Sequence, residues 1–254
     1  MTNRKSCFFL NLLVLTACAL VAAPALAQHD HGGGSDDASA ELPESFSEPM
    51  PLFETALGDH HHPISSDNEK AQAWFDQGFR LMYAFGKEDA VRSFRESWKH
   101  DPDCAICYWG EAWAWGSYLN GPMRPFEAPH AYAAMQEAVA RIDGASEKER
   151  AYIEALTTRY VEDFDPAQRR DQDEAYAEAM RKLSEAYPDD LDAVTLYGDA
   201  LFLLEPRRGT RDLNDPNVQR LHGVLESVLD RDITHPGACH LYIHATESTV
   251  NPGL

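Results

Sequence analysis

Positive charge is scarce in this chain. Across 254 residues, 22 lysines and arginines stand against 42 aspartates and glutamates, a formal net charge of -20. Nucleic acid requires a basic face for its phosphates, and anionic lipid requires one for its headgroups, so neither is an expected partner. The acidity favours a solvated surface and, after it, basic or cationic partners, metal ions included. Long apolar runs are absent beyond residue 27, so no transmembrane segment is expected there, since a spanning helix needs about 18 such residues. Strand-like alternation is almost missing, which leaves an all-α chain. Several chemistries lack their signatures. No G-x-S-x-G context surrounds Ser65 or Ser66, and no glycine-rich phosphate loop occurs. Cysteine is sparse as well, and two of the five, Cys7 and Cys18, lie in the first 27 residues.

Those first residues read as an export signal. Arg4 and Lys5 supply the positive start, residues 8–21 the apolar run, and Ala25-Leu26-Ala27 an A-x-A-like cleavage site. Leu15-Thr16-Ala17-Cys18 offers a rival lipoprotein box with Cys18 lipidated. The apolar stretch of residues 19–27 favours cleavage after Ala27. A periplasmic or secreted protein is expected, with Cys104, Cys107 and Cys239 as its remaining cysteines and a charge that falls to -22. Residues 28–59, rich in Gly, Ser, Asp, Glu and Pro, read as a disordered linker. The His29-Asp30-His31 segment and the His60-His61-His62 run read as exposed histidines with weak affinity for Cu(II), Ni(II) or Zn(II).

What the chain does have begins after them. Trp74, Gly78, Ala90, Phe94 and Pro102 match the tetratricopeptide (TPR) pattern in type and spacing, whereas Gln77 and Leu81 depart from it in type. Ser66-Asp67-Asn68-Glu69 and Ser146-Glu147-Lys148-Glu149 fit capping boxes at helix starts. Helical spacing recurs along residues 69–247, with breaks at Gly86, Pro102, residues 116–129, Pro188 and Pro216, for about nine helices in antiparallel pairs. The expected architecture over residues 60–254 is a TPR-like, right-handed helical-hairpin solenoid with irregular repeats. An unpaired helix before Asn251-Pro252-Gly253-Leu254 leaves it without a polar closing helix, so truncation at the C-terminus is expected.

Five stretches carry a resemblance. They are His62-Pro63-Ile64-Ser65, the run from Ala71 to Gly78, Asp101-Pro102-Asp103-Cys104, Cys107-Tyr108-Trp109-Gly110, and the run from His235 to His244. Together they resemble a bacterial family of exported TPR-repeat proteins. The resemblance implies a helical-repeat fold that continues with further repeats, and it brings no catalytic residue.

Two constellations carry chemistry. Cys104 and Cys107 sit one turn apart at a helix start, where the helix dipole lowers thiol pKa. A disulfide, plain packing and a redox pair are all open, in that order of expectation. Attachment of c-type haem is excluded, since Tyr108 stands where a C-x-x-C-H needs histidine. The second constellation is His235, Cys239, His240, His244 and Glu247. On a helix opening at Pro236, His240 and His244 are i, i+4 and Glu247 follows one turn later, a face suited to a divalent transition metal such as Zn or Cu. Burial with hydrogen bonds to neighbouring helices is the equal alternative. Trp109, Trp113 and Trp115 are expected partly as core and partly as the lining of a concave groove. With no complete catalytic set, the leading expectation is a non-enzymatic scaffold binding a protein or peptide. A metal-binding protein or metalloenzyme on the histidine helix comes second, and thiol redox chemistry third.

Overall fold

The computed structural model describes residues 42–206 and 209–252; the expected leader and residues 28–41 of the linker lie outside them. Among the described residues every regular element is helical. These are α1 (Glu69–Tyr83), α2 (Lys87–His100), α3 (Ala105–Trp115), α4 (Ala128–Ala140), α5 (Glu147–Thr157), α6 (Arg169–Ala186), α7 (Leu191–Leu204), α8 (Pro216–Leu229) and α9 (Pro236–Glu247). Short 3-10 turns lie at Glu44–Ser47, Ile142–Gly144 and Pro166–Gln168. No helix among the described residues is long and apolar enough to cross a membrane.

Local chemistry fixes the helix starts. The Ser146–Glu149 capping box forms as read from sequence, with each side chain bonded to the other's backbone N–H. The first box does not form. Asn68 caps α1, its side chain accepting from the Lys70 and Ala71 amides, while the Ser66 hydroxyl donates to Asp101. Asp190, Asp215 and His235 cap α7, α8 and α9.

Each helix packs on its neighbour in sequence, α1 also touches α3, α7 touches α9, and α1 meets α9. The TPR-pattern residues show why the first helices approach closely. A Cβ at Gly78 would lie 2.8 Å from the Phe94 ring and one at Gly110 would lie 2.3 Å from it, so the ring wedges between α1 and α3 only because both positions are glycine. Phe75, Phe79, Trp109, Trp113 and Tyr152 join that ring in the core.

The groove assigned to tryptophans is corrected here. Trp109, Trp113 and Trp115 are 1%, 3% and 2% exposed. Trp109 donates its indole N–H to the Tyr152 carbonyl, and Trp115 donates to buried Glu111. A buried indole needs such a partner, and these rings are core rather than groove lining.

Residues 42–59 are corrected as well, because they are laid along α1 and α2 as a strap. Phe46 stacks on Trp115 at 5.3 Å, Met50 is buried, and Leu57 packs on the core. The Gln77 amide grips the strap backbone at two points, accepting from the Phe53 N–H (2.6 Å) and donating to the Pro51 carbonyl (2.9 Å). Trp74 donates to the Met50 carbonyl, and Arg80 to that of His60. Gln77 departs from the TPR pattern because it holds a chain segment that an apolar residue would leave unsatisfied.

Candidate metal centre

The strap delivers the histidine run to the core. In an extended chain, alternate residues face the same way, and the run obeys that rule. His61 turns to Asp76 and stays exposed, its Nδ1 2.8 Å from the carboxylate. His60 and His62 both turn to Asp192, in the first turn of α7. The expectation of three exposed histidines is therefore corrected, since His62 is 2% exposed and stacks on Phe79 at 4.6 Å. His60 and Asp192 are gathered with His235, the N-cap of α9.

Asp192 is the hub. Its Oδ2 accepts from His62 Nδ1 at 2.6 Å, and its Oδ1 accepts from the Tyr83 hydroxyl at 2.6 Å. His60 Nε2 and His235 Nε2 lie 3.0 and 3.2 Å from the same Oδ1. Both nitrogens are sealed from solvent, and neither has a hydrogen-bond partner among the described residues beyond this contact with the carboxylate. The separations match those of ligands about 2.1 Å from one ion and about 90–100° apart. Burial opposes a charge on Asp192, but the bonds from His235, His60 and His62 outweigh it and hold the carboxyl well below its ordinary range. Burial lowers the His60 pKa, and the Asp192 contact more than reverses this, leaving it raised. Tyr83 is pushed well above its ordinary value by burial and then by the Asp192 charge, so its proton stays in place to be donated.

A second grouping, His62 with Asp190 and Asp192, shares this hub. Asp190 already has a cation, as Lys148 Nζ lies 2.8 Å from its Oδ2. Of the two groupings, His60, Asp192 and His235 is the one without such a lysine contact among the described residues. A broad surface cleft lined by Ser66, Asn68, His100 and Asp101 shares none of these residues.

The five residues singled out on the last helix part company. His235 joins Asp192. Cys239 turns its thiol to the Ile233 carbonyl at 3.1 Å. His240, His244 and Glu247 stay together on α9, His240 Nε2 and His244 Nε2 being 3.1 Å apart and His244 Nδ1 2.5 Å from Glu247. Among the described residues, neither three-ligand grouping includes Cys239, His240, His244 or Glu247. Cys104 and Cys107 form a disulfide across the first turn of α3, with Cys107 fully buried.

Tyr83 joins the two histidine groups, its hydroxyl bonded to Asp192 and its carbonyl accepting from His240 Nδ1 at 2.5 Å. A Cβ at position 237 would come within 2.4 Å of the Tyr83 ring, so Gly237 is what lets α9 close onto α1 here. Comparison of the chain with protein-family models, curated proteins and solved structures finds no match.

Proposed function

We propose that this is an exported, TPR-like helical-repeat protein that holds one divalent transition-metal ion through His60, Asp192 and His235. In this reading His62 and Tyr83 orient the carboxylate, and zinc is the ion that best suits two imidazoles and a carboxylate. The observation that carries the reading is the pair of buried imidazole nitrogens, His60 Nε2 and His235 Nε2, converging on one carboxylate oxygen with no other hydrogen-bond partner. One contact opposes it. His235 Nδ1 accepts the Ala238 N–H at 3.2 Å, which places the neutral ring's proton on Nε2. Ligation through Nε2 moves that proton to Nδ1 and gives up the cap bond, a loss on the order of 1 kcal/mol. That cost is small beside the roughly 10–16 kcal/mol that structural zinc contributes in zinc-finger domains.

The repeat reading is supported by the sequential packing of helices and by the Gly78–Phe94–Gly110 wedge; export rests on the leader-like residues 1–27. Metal analysis of untagged protein isolated from a periplasm tests the function. The expected result is one tightly held equivalent, lost in Asp192→Asn and in His60→Ala. Less than about a tenth of an equivalent, unchanged by added Zn(II) or Cu(II), removes the proposal.

A peptide-binding scaffold is the second reading, favoured by the way Gln77 and Trp74 bond the backbone of the strap. A synthetic peptide copying residues 44–57 can be titrated calorimetrically into protein whose residues 42–57 are replaced by a Gly/Ser linker. Measurable heat of binding is expected, and its absence counts against this reading.

A further inference from the structure

The pair His240 and His244 carries a separate inference, resting on which ring nitrogens hold protons. His240 Nδ1 faces the Tyr83 carbonyl, which can only accept, so the proton sits on Nδ1 and Nε2 keeps its lone pair. His244 Nδ1 faces the Glu247 carboxylate, which also only accepts when ionised, and the same logic leaves a lone pair on its Nε2. The two Nε2 atoms are 3.1 Å apart. Two lone pairs do not face each other at that distance without a cation between them, either a proton or a metal ion. Nitrogens about 2.0–2.1 Å from one ion and about 100° apart would show this spacing. Ligating histidines characteristically donate the other ring N–H to a carbonyl or carboxylate, and both do so here.

The rings are also held for the task. Phe85 lies 4.1 Å from His240 and stacks on His244 at 5.5 Å. It does so from a left-handed backbone conformation, φ 60°, that a non-glycine residue adopts at a cost of about 1–2 kcal/mol. The turn closing α1 aims the ring at the pair: the Gly86 N–H bonds back to the Leu81 carbonyl, and Phe85 occupies the position where such helix ends use glycine.

We infer that His240 and His244 form a second, solvent-accessible site for a divalent transition ion of the Cu(II) class, with Glu247 as positioning residue rather than ligand. Accessibility comes from His244, whose side chain is 22% exposed. Copper is favoured over zinc because two imidazoles completed by water give no thiolate or carboxylate, and nitrogen sites follow the order that peaks at Cu(II). The site lies one residue, Tyr83, away from the buried centre, yet it rests on its own geometry and stands whether or not that centre holds an ion.

The test uses the full chain carrying His29→Ala and His31→Ala, preloaded with Zn(II) and then titrated with Cu(II) to one equivalent. Electron paramagnetic resonance should show coupling to two imidazole nitrogens. His244→Ala should lose one coupling and at least tenfold in affinity, while Glu247→Gln should keep both couplings and lose about 10–100-fold in affinity. Circular dichroism confirms that each variant is folded. Asp192→Asn should lose zinc and keep the copper signal, which separates failure of the buried centre from failure of this one. Unchanged copper coupling and affinity in His244→Ala overturns the inference. So does nitrogen-15 resonance evidence that a proton still bridges the two rings after one equivalent of Cu(II).

Discussion

Replacing Asp192 by asparagine changes charge with almost no change in shape, so it isolates what the carboxylate does. In the metal-free protein the substitution removes the anionic acceptor of the two 2.6 Å bonds from His62 and Tyr83. It also turns one amide NH2 toward donors that it cannot accept from. Breaking a buried charged partnership of this kind costs about 3–5 kcal/mol. At about 2–4 °C per kcal/mol for a chain of this size, the melting temperature should fall by roughly 6–20 °C. That drop alone does not require a metal. Free zinc at a hundred times its dissociation constant should stabilise the wild type by about 2.7 kcal/mol, a rise of roughly 5–11 °C, and should leave Asp192→Asn unmoved. Scanning calorimetry of both proteins, each with zinc and with chelator, reads all four values. An equal zinc-dependent rise in the two proteins, or none in the wild type, refutes the metal centre and leaves Asp192 as the hub of a hydrogen-bond network.

Four further outcomes follow from the same structure. In the metal-free protein the depressed Asp192 pKa places its stabilisation above the unfolded value near ~4, and it is lost as pH falls through the folded value. Urea melts from about pH 6 to about pH 3 should therefore lose stability more steeply in wild type than in Asp192→Asn. Gly237→Ala sets a methyl against the Tyr83 ring and should cost about 1–3 kcal/mol, with weaker zinc binding as Tyr83 shifts; unchanged melting and binding would contradict the close approach. Reducing the Cys104–Cys107 bond should lower stability by about 2 kcal/mol, given its short loop. Once the leader is gone, thiol counting without reductant should find Cys239 alone, and three free thiols would rule the bridge out. Gln77→Leu, which restores the TPR-pattern residue, strips two bonds from the strap; protease cleavage within residues 48–58 should quicken several-fold, and an unchanged rate would show that those bonds do not hold it.

Local features were legible in the chain, and convergent ones were not. Gly78, Ala90 and Phe94 report packing between adjacent helices, and the realised helices follow the spacing to within a few residues at each end. The capping box at Ser66 failed because three other cap-type residues, Ser65, Ser66 and Asp67, stand within three positions of Asn68, and pattern alone does not say which one caps α1 and which turns to Asp101. Residues 42–59 looked too polar to bury anything, but Phe46, Met50 and Leu57 suffice once Gln77 and Trp74 satisfy the backbone between them. The cluster around Asp192 was the least visible. His62 and Asp192 lie 130 residues apart, and no spacing rule links them. Two weak signals existed. One was the histidine run directly before the first helix, and the other was the polar Gln77 where the pattern asks for an apolar residue.

The meeting of α1 with α9 bears on cooperativity. Helices stacked only on their sequence neighbours unfold from a free end, each contributing its own stability and that of one interface. Here Asp192 on α7 is joined to His62 on the strap, to Tyr83 on α1 and to the capping residue of α9. Fraying from α9 would expose the same carboxylate that anchors the strap to α1, so neither end can loosen without disturbing the other. A row of helices is thereby tied into a ring, and the described chain should melt in one transition rather than peel away helix by helix.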